Sequence, residues 1–169
     1  MAAEKYGKYV TKGVTNPPIQ FPEFRPVKGP LSFKSSELFK GSEFRLNFEC
    51  ISSPVVMDPF PLKHMDADQI TVFKGSNPMD LDDFDAEIEF CLGVGDEQEK
   101  YVITSPTMIF VPRGTAHTPL NFKRIGKPLM FCNFTFGNYT RLLFRDNEWK
   151  QYKDIYEERE GTPWELPEA

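Results

Sequence analysis

Alternation of apolar and polar residues is the strongest pattern in the chain and begins after Ser42. Residues 44–49 read FRLNFE and residues 84–92 read FDAEIEFCL, with an apolar side chain at nearly every second position. A period of two places alternate side chains on opposite faces of a half-buried β-strand. The same reasoning predicts five further strands, at residues 70–73, 100–104, 108–111, 116–122 and 129–136.

Turn signals separate these predicted strands at short, regular intervals. Gly75-Ser-Asn-Pro78, Gly93-Val-Gly-Asp96 and Gly126-Lys-Pro128 are examples, and the chain contains 11 glycines and 15 prolines. Seven or eight short strands spaced in this way predict an all-β domain, either a sandwich or a jelly-roll barrel.

The two ends of the chain differ from the middle. Residues 1–41 are rich in proline and predict an extended arm that contains a short strand at Lys8–Thr11. Residues 42–136 form the predicted β-barrel, and residues 137–169 form a tail. A short helix is expected over residues 147–160, where aromatic residues recur at helical spacing before Gly161-Thr-Pro163.

Charge and composition narrow the classes of partner. The 169 residues carry a net charge of −5, which argues against nucleic acid because phosphate binding needs a surplus of Lys and Arg. No run of 18 apolar residues is present, so no membrane span is predicted. The N-terminus lacks a secretory apolar segment and three cysteines cannot all pair, which together predict a cytoplasmic protein.

Only two histidines occur, and both lie in or beside predicted strands. If residues 64–68 are a regular strand, His64, Asp66 and Asp68 project from one face. His117 follows the Pro112-Arg-Gly114 turn, and alternation predicts that Asn121 shares its face. Two imidazoles with a nearby carboxylate suit Fe, Mn, Ni or Zn, so His64, Asp66, Asp68 and His117 are the candidate metal ligands.

The segment around His117 resembles the second motif of the cupin superfamily. Pro112, Gly114, His117 and Asn121 match that motif, and Pro106 stands where a glycine is usual. Across residues 42–136 the chain is similar to small single-domain bacterial cupins. The resemblance implies a β-jelly-roll fold whose members commonly bind a divalent metal inside the barrel.

The segment around His64 resembles the first cupin motif in either of two registers. In one, Asp68 and Gly75 reproduce the spacing from the acidic ligand to the glycine, and Leu62 occupies the first histidine position. In the other, His64 is the first histidine, Asp66 replaces the second, and Gln69 stands near the acidic position. Glu87 is a further carboxylate that could complete the site, although solvent exposure is the better expectation for it.

Two functions follow from this reading. The first is a metal-binding cupin that acts on a small oxygen-bearing or anionic molecule by dioxygenase, isomerase or lyase chemistry, with Arg113 and Tyr101 orienting the substrate. The alternative is a non-catalytic module that binds a small ligand or serves a structural role, with weak or no metal binding. A homodimer is expected for either, since the aromatic arm is long enough to reach a neighbouring subunit.

Overall fold

The computed structural model describes residues 27–34 and 43–151, which form an antiparallel β-structure with one short 3₁₀ turn at Gly95–Glu97. Ten strands are present in these residues: β1 (Val27–Lys34), β2 (Phe44–Ile51), β3 (Val55–Met57), β4 (Leu62–Gly75), β5 (Ala86–Leu92), β6 (Glu99–Ile103), β7 (Thr107–Val111), β8 (His117–Ile125), β9 (Leu129–Arg145) and β10 (Glu148–Gln151).

The strands form two layers. A larger sheet has the order β1-β2-β9-β4-β7, with β10 paired to the far end of β9. A smaller sheet contains β3, β8, β5 and β6. The layers are joined where Leu62 of β4 pairs with His117 of β8. The all-β jelly-roll prediction is confirmed, but the closed barrel is wrong, because β1 and β6 end the strand order of the described residues without pairing together.

Aromatic side chains from both sheets fill the space between the layers. Phe73 of β4 is fully buried and stacks on Phe131 of β9, with ring centroids 5.3 Å apart. It also meets Phe90 and Phe122 of the smaller sheet edge to face, at 6.2 and 6.1 Å. These inward positions are the apolar residues of the alternating pattern, so the pattern predicts the core directly.

The described part of the predicted C-terminal helix, up to residue 151, is not helical. Glu148–Gln151 form β10 instead and pair with β9 through a two-residue turn. Asp146 and Asn147 occupy this turn with φ of 56° and 62°, a conformation that these residue types tolerate and that tight hairpins require. Trp149 then packs on Phe144, with centroids 5.2 Å apart. The remainder of the predicted helix, and the strand expected at Lys8–Thr11, lie outside the described residues.

The larger sheet extends beyond residues 42–136 on both sides. β1 pairs with β2, and β9 runs without interruption from Leu129 to Arg145. In the part of the chain that the structure describes, no helix is long and apolar enough to span a membrane.

A register shift in the larger sheet determines which side chains of β4 face inward. The pairing of β4 with β9 changes register between His64 and Asp66, and Met65 and Asp66 are both exposed there. Gly137 lies opposite Ala67 with φ of 121°, and a Cβ at this position would approach the Asp66 carbonyl oxygen to 2.2 Å. Glycine is therefore required where the two backbones come closest.

Candidate functional site

A polar cavity lies between the two sheets at the end where β4 meets β8. Its volume is about 40 Å³, enough for two or three water molecules. Polar side chains from both layers and an apolar wall surround it: Asp58, His64, Gln69, Thr71, His117, Thr118, Asn133 and Arg141, with Leu62, Phe90, Leu120 and Phe131.

The two histidines of the chain meet in this cavity. His64 and His117 are 3% and 2% exposed, and their ring centroids are 5.2 Å apart with planes tilted by 45°. They lie 53 positions apart in sequence, and the junction of β4 and β8 brings them together. Of the four candidate metal ligands, the fold therefore brings His64 and His117 together.

A buried hydrogen-bond network holds His64. Its Nε2 lies 3.0 Å from Oε1 of Gln69, and Nε2 of Gln69 donates to Oγ1 of Thr71 at 2.8 Å and to Oδ1 of Asn133 at 3.4 Å. The Thr71 hydroxyl donates to the same Asn133 oxygen at 2.8 Å. Because a carboxamide oxygen can only accept, the proton of the neutral His64 ring lies on Nε2 in this arrangement.

His117 is oriented by the backbone. Its Nδ1 lies 3.2 Å from the carbonyl oxygen of Thr115, so Nδ1 carries the proton and Nε2 carries the lone pair. The ring also stacks on Phe90 with centroids 6.4 Å apart. The adjacent turn is tied to β4, because the amide of Gly114 donates to the carbonyl oxygen of His64 at 2.7 Å. The glycine has φ of 78°, which explains its place in the motif.

Both imidazoles are neutral at physiological pH. Burial, the neighbouring His117 and the positive charge of Arg141 together lower the pKa of His64 to about 3, with burial as the largest cause, partly opposed by the hydrogen bond to Gln69. Burial also lowers the pKa of His117 to about 4, partly opposed by the Thr115 carbonyl. Neutral imidazole is the form that binds metal ions or acts as a hydrogen-bond acceptor.

Buried acids and arginines lie beside the histidines. Glu49 is 9% exposed, and burial together with the charge of Asp58 raises its pKa to about 7, against the opposing charge of Arg45. Burial likewise raises the pKa of Asp58, while Arg141 lowers it. Of these groups, Arg141 and Asp58 line the cavity, so the lining combines one guanidinium charge with an acid whose ionisation burial disfavours.

The sequence-predicted carboxylates lie elsewhere. The register shift turns Asp66 and Asp68 to the outer face, so the expectation that they share a face with His64 is wrong. Asp68 forms a bidentate pair with Arg113, at 2.8 Å from Nη2 and 3.2 Å from Nε, and also accepts from the Arg113 amide at 2.9 Å. The guanidinium lowers the pKa of Asp68. Gln69 takes the inward position instead, as in the second motif register.

Three other predicted positions also lie outside the cavity lining. Tyr101 is 43% exposed and its hydroxyl donates to Glu99. Glu87 is half-buried on the outer face of the smaller sheet, 3.9 Å from Lys123, in agreement with its expected solvent contact. Asn121 does not share the face of His117, because the β5–β8 register shifts between Phe90 and Leu92 and turns the residue outward.

Several cavity residues were not predicted from the sequence. Asp58, Thr71, Asn133 and Arg141 line the cavity but belong to no motif. Thr71 and Asn133 are polar residues in predicted strands that also carry the buried Phe73 and Phe131, and that irregularity was an available signal. Arg141 lies opposite His64 on the part of β9 that follows residue 136, where a tail was expected.

Comparison with known proteins supports the fold. The sequence matches no protein-family model and no curated protein. Among solved structures, an oxalate oxidase in complex with the substrate analogue glycolate superposes with a TM-score of 0.51 at 15% identity, covering 83% of this chain and 64% of that chain. Peruvianin-I, a cysteine peptidase from Thevetia peruviana latex, gives 0.51 at 12% identity and covers 82% and 78%.

These similarities define the class of the fold. The chain has a jelly-roll fold, which it shares with these solved structures, and it spans slightly less than two thirds of the oxalate oxidase it matches. The two solved structures carry different activities in their names, an oxidase and a peptidase. Fold alone therefore does not choose a reaction, and function must be argued from the cavity.

Proposed function

We propose that the cavity binds a divalent transition metal, Fe, Mn, Ni or Zn, through His64 and His117, and that a small organic anion binds beside it. The observation that carries the proposal is the convergence of two buried, neutral imidazoles whose centroids lie 5.2 Å apart. Two rings that share one ion at metal–nitrogen distances of ~2.1 Å have centroids ~5 Å apart. The donor set therefore fits such an ion.

Gln69 is the neighbouring oxygen donor of this site. Its Oε1 lies 3.0 Å from His64 Nε2, and two ligands of one octahedral ion at ~2.1 Å also lie ~3 Å apart. An ion bound by these two atoms would replace the hydrogen bond between them, and the His64 ring proton would then lie on Nδ1. Thr71 and Asn133 fix the carboxamide. The Thr115 carbonyl orients His117, as backbone carbonyls commonly do for metal-binding imidazoles.

Arg141 supplies the recognition of an anion. Its side chain lines the cavity with Asp58, and its charge is close enough to lower the pKa of His64. The volume of about 40 Å³ restricts the occupant to a few non-hydrogen atoms. The carboxylate group of a small organic acid satisfies both conditions when it enters the cavity beside the ion, and the oxalate oxidase with similar fold is in complex with glycolate, a small acid of this kind.

Each part of the cavity then has a defined task. The bound ion would supply Lewis-acid or dioxygen-binding chemistry, which supports the dioxygenase, isomerase and lyase reaction types. Arg141 holds the carboxylate of the substrate, and His64 and His117 remain neutral so that they bind rather than repel the ion. Phe90, Leu120 and Phe131 exclude water from the apolar wall.

A metal-free binding module is the second candidate. No group of three or more His, Cys, Asp or Glu side chains converges within residues 43–151. The carboxamide of Gln69 is also fully engaged by His64, Thr71 and Asn133 without an ion. In this alternative, the same cavity binds the anion through Arg141 and the imidazoles alone.

Metal titration by calorimetry distinguishes the two candidates. We expect Mn²⁺, Fe²⁺, Ni²⁺ or Zn²⁺ to bind the intact protein with a stoichiometry of one, and His64→Ala and His117→Ala each to abolish binding. Asp68→Asn is the matched control, since that carboxylate lies outside the cavity and should not affect affinity. Failure of all four ions to bind, with glycolate still binding in the presence of chelator, would establish the metal-free module instead.

The cytoplasm is the compartment that we propose for this activity. Cys50, Cys91 and Cys132 are free thiols in the structure, and burial raises the pKa of both Cys91 and Cys132. Buried, protonated thiols support a reducing compartment and argue against nucleophilic catalysis by cysteine.

A further inference from the structure

Polar side chains extend from the cavity across the inner side of the larger sheet. Strand β9 pairs with β4 over residues 66–75 and with β2 over residues 44–51, without a register shift in either range. Directly paired residues present their side chains on the same face, so two rows share the face on which Gln69 lines the cavity. The rows are Gln69–Thr135–Arg45 and Thr71–Asn133–Asn47, and we call these six residues the inner polar platform.

The platform reaches the inner side of β2 as well as that of β4. Glu49 and Ile51 continue the same side of β2 as Arg45 and Asn47, and they are 9% and 0% exposed. The row after Asn47 pairs Glu49 with Phe131 of the core. Because Arg45 and Asn47 are half-buried, the platform leads from the enclosed cavity towards solvent at β2.

The platform is larger than the cavity alone requires. Its side chains on β4 are hydrogen-bonded to each other and to Asn133, and they account for the part beside His64. The inner face of a sheet is normally apolar, because burial of polar groups costs free energy unless they find partners. Arg45, Asn47 and Thr135 continue the polar surface away from His64, so they offer polar contacts to a molecule that extends out of the cavity.

Two arginines lie on different sides of the histidine pair. Arg141 lines the cavity, and Arg45 ends the platform on β2. The positive charges of both arginines contribute to the low pKa of His64, so both act on the cavity. Glu49 shares the inner side of β2 with Arg45, and its pKa of about 7 leaves it partly protonated at neutral pH, so it compensates that charge only in part. A guanidinium has five N–H donors and can bind a carboxylate in addition to its contacts within the protein.

The width of the platform sets the length of the molecule that can use it. Neighbouring strands lie ~4.8 Å apart, so the Cα atoms of Gln69 and Arg45, which are separated by β9, are ~10 Å apart. The arginine side chain spans part of this distance, and a chain of about four carbons spans the rest. A two-carbon acid such as glycolate is too short to reach both arginines.

We propose that the ligand of this site is a hydroxylated dicarboxylate of about four carbons, with one carboxylate on Arg141 and the other on Arg45. This inference rests on the proposed function and names the class of its substrate. The first carboxylate enters the cavity, and the remainder of the molecule lies along the inner polar platform. Its hydroxyl group then faces Asn47, Asn133 and Thr135, which are residue types that donate and accept hydrogen bonds.

Calorimetric titration of the full chain with two matched acids tests this ligand class. Racemic 2-hydroxybutyrate is racemic malate with the distal carboxylate replaced by a methyl group, and both keep the hydroxy-acid unit of glycolate. In the state, with or without Mn²⁺, that binds glycolate, we expect malate to bind about tenfold or more tightly than 2-hydroxybutyrate. Arg45→Met and Arg45→Gln should each lower the affinity for malate to that for 2-hydroxybutyrate, and retained glycolate binding shows that the variant is folded. Lys123→Met is the matched control for the loss of one positive charge, because Lys123 is exposed and pairs with Glu89 on the smaller sheet.

Two results would overturn the inference. Equal affinities of the unmodified chain for malate and 2-hydroxybutyrate would show that no second anionic site lies within reach of the cavity. A preference for malate that survives in both Arg45 variants would assign the distal carboxylate to another group or to the ion. Failure of glycolate and both longer acids to bind would refute the proposed function as well, whereas glycolate binding without a preference for malate contradicts this inference alone.

Discussion

Replacement of Gln69 by Glu is the most informative single change in the cavity. The substitution exchanges a neutral carboxamide for a carboxylate of the same size, 3.0 Å from the His64 ring and 6% exposed. It restores the acidic ligand that the resemblance to cupins implies for this position. Metal affinity and the stability of the metal-free protein should therefore change in opposite directions.

The loss of stability follows from the hydrogen bonds that the amide donates. Gln69 Nε2 donates to Thr71 at 2.8 Å and to Asn133 at 3.4 Å, and a carboxylate can donate to neither. Two lost bonds at about 1 kcal/mol each and the burial of a negative charge give an expected loss of about 2–4 kcal/mol in chelator. With metal present, the anionic ligand should tighten binding at least tenfold, about 1.4 kcal/mol.

Urea denaturation with and without metal, together with calorimetric titration, measures both quantities at pH 8. Gln69→Met is the control, because it removes the same hydrogen bonds without adding charge and should lose stability without gaining metal affinity. If Gln69→Glu binds metal no more tightly than the unmodified protein, no ion lies beside residue 69 and the assigned donor set is wrong.

Further predictions concern the histidines, the register shift and the outer carboxylates. In chelator and a Glu49→Gln, Asp58→Asn background, which removes the opposing titration of both acids whose pKa burial raises, the free energy of unfolding should fall below pH 6.5 by about 1.4 kcal/mol per pH unit for each imidazole. The reason is that burial lowers the pKa values of His64 and His117 in the folded protein to about 3 and 4. Urea denaturation at pH 7.5 and pH 5 measures the difference in the free energy of unfolding. Equal stability at both pH values would contradict buried, neutral rings. Gly137→Ala should lower the free energy of unfolding by about 2 kcal/mol or more, because φ at residue 137 is 121° and the alanine Cβ would meet the Asp66 backbone. An unchanged melting temperature would refute this prediction. Asp68→Asn should leave the affinity for glycolate unchanged in calorimetry, whereas Arg141→Met should abolish glycolate binding. Loss of binding in Asp68→Asn with binding retained in Arg141→Met would place the anion at the ion pair of Asp68 with Arg113.

Most of the fold could be predicted because alternation is a local property. The inward residues Ile88, Phe90 and Phe131 were already visible as every second apolar position. The C-terminal hairpin was missed because aromatic spacing in residues 147–156 suits a helix, whereas the turn conformation of Asp146 and Asn147 decides the structure. The closed barrel was predicted wrongly because strand closure depends on pairing between distant strands, which alternation does not specify.

The candidate site was predicted only in part, for a physical reason that affects one strand. Alternation assumes an unbroken strand, and a single change of phase beside Met65 exchanges the inward and outward sets of β4. His64 precedes the change and was placed correctly. Asp66 and Asp68 follow it and face outward, whereas Gln69 and Thr71 face the cavity.

The neutral side chain at position 69 also bears on the choice of substrate. A carboxylate there would neutralise one charge of a divalent ion, whereas the carboxamide leaves both charges in a cavity that already contains Arg141 and has Asp58 as its acidic lining residue. Even when Asp58 is ionised, one carboxylate does not balance a divalent ion and Arg141, so an anionic ligand gains affinity. Gln69→Glu should therefore weaken glycolate binding while it strengthens metal binding. A variant that gained affinity for both ligands would show that the anion does not share the cavity with the ion.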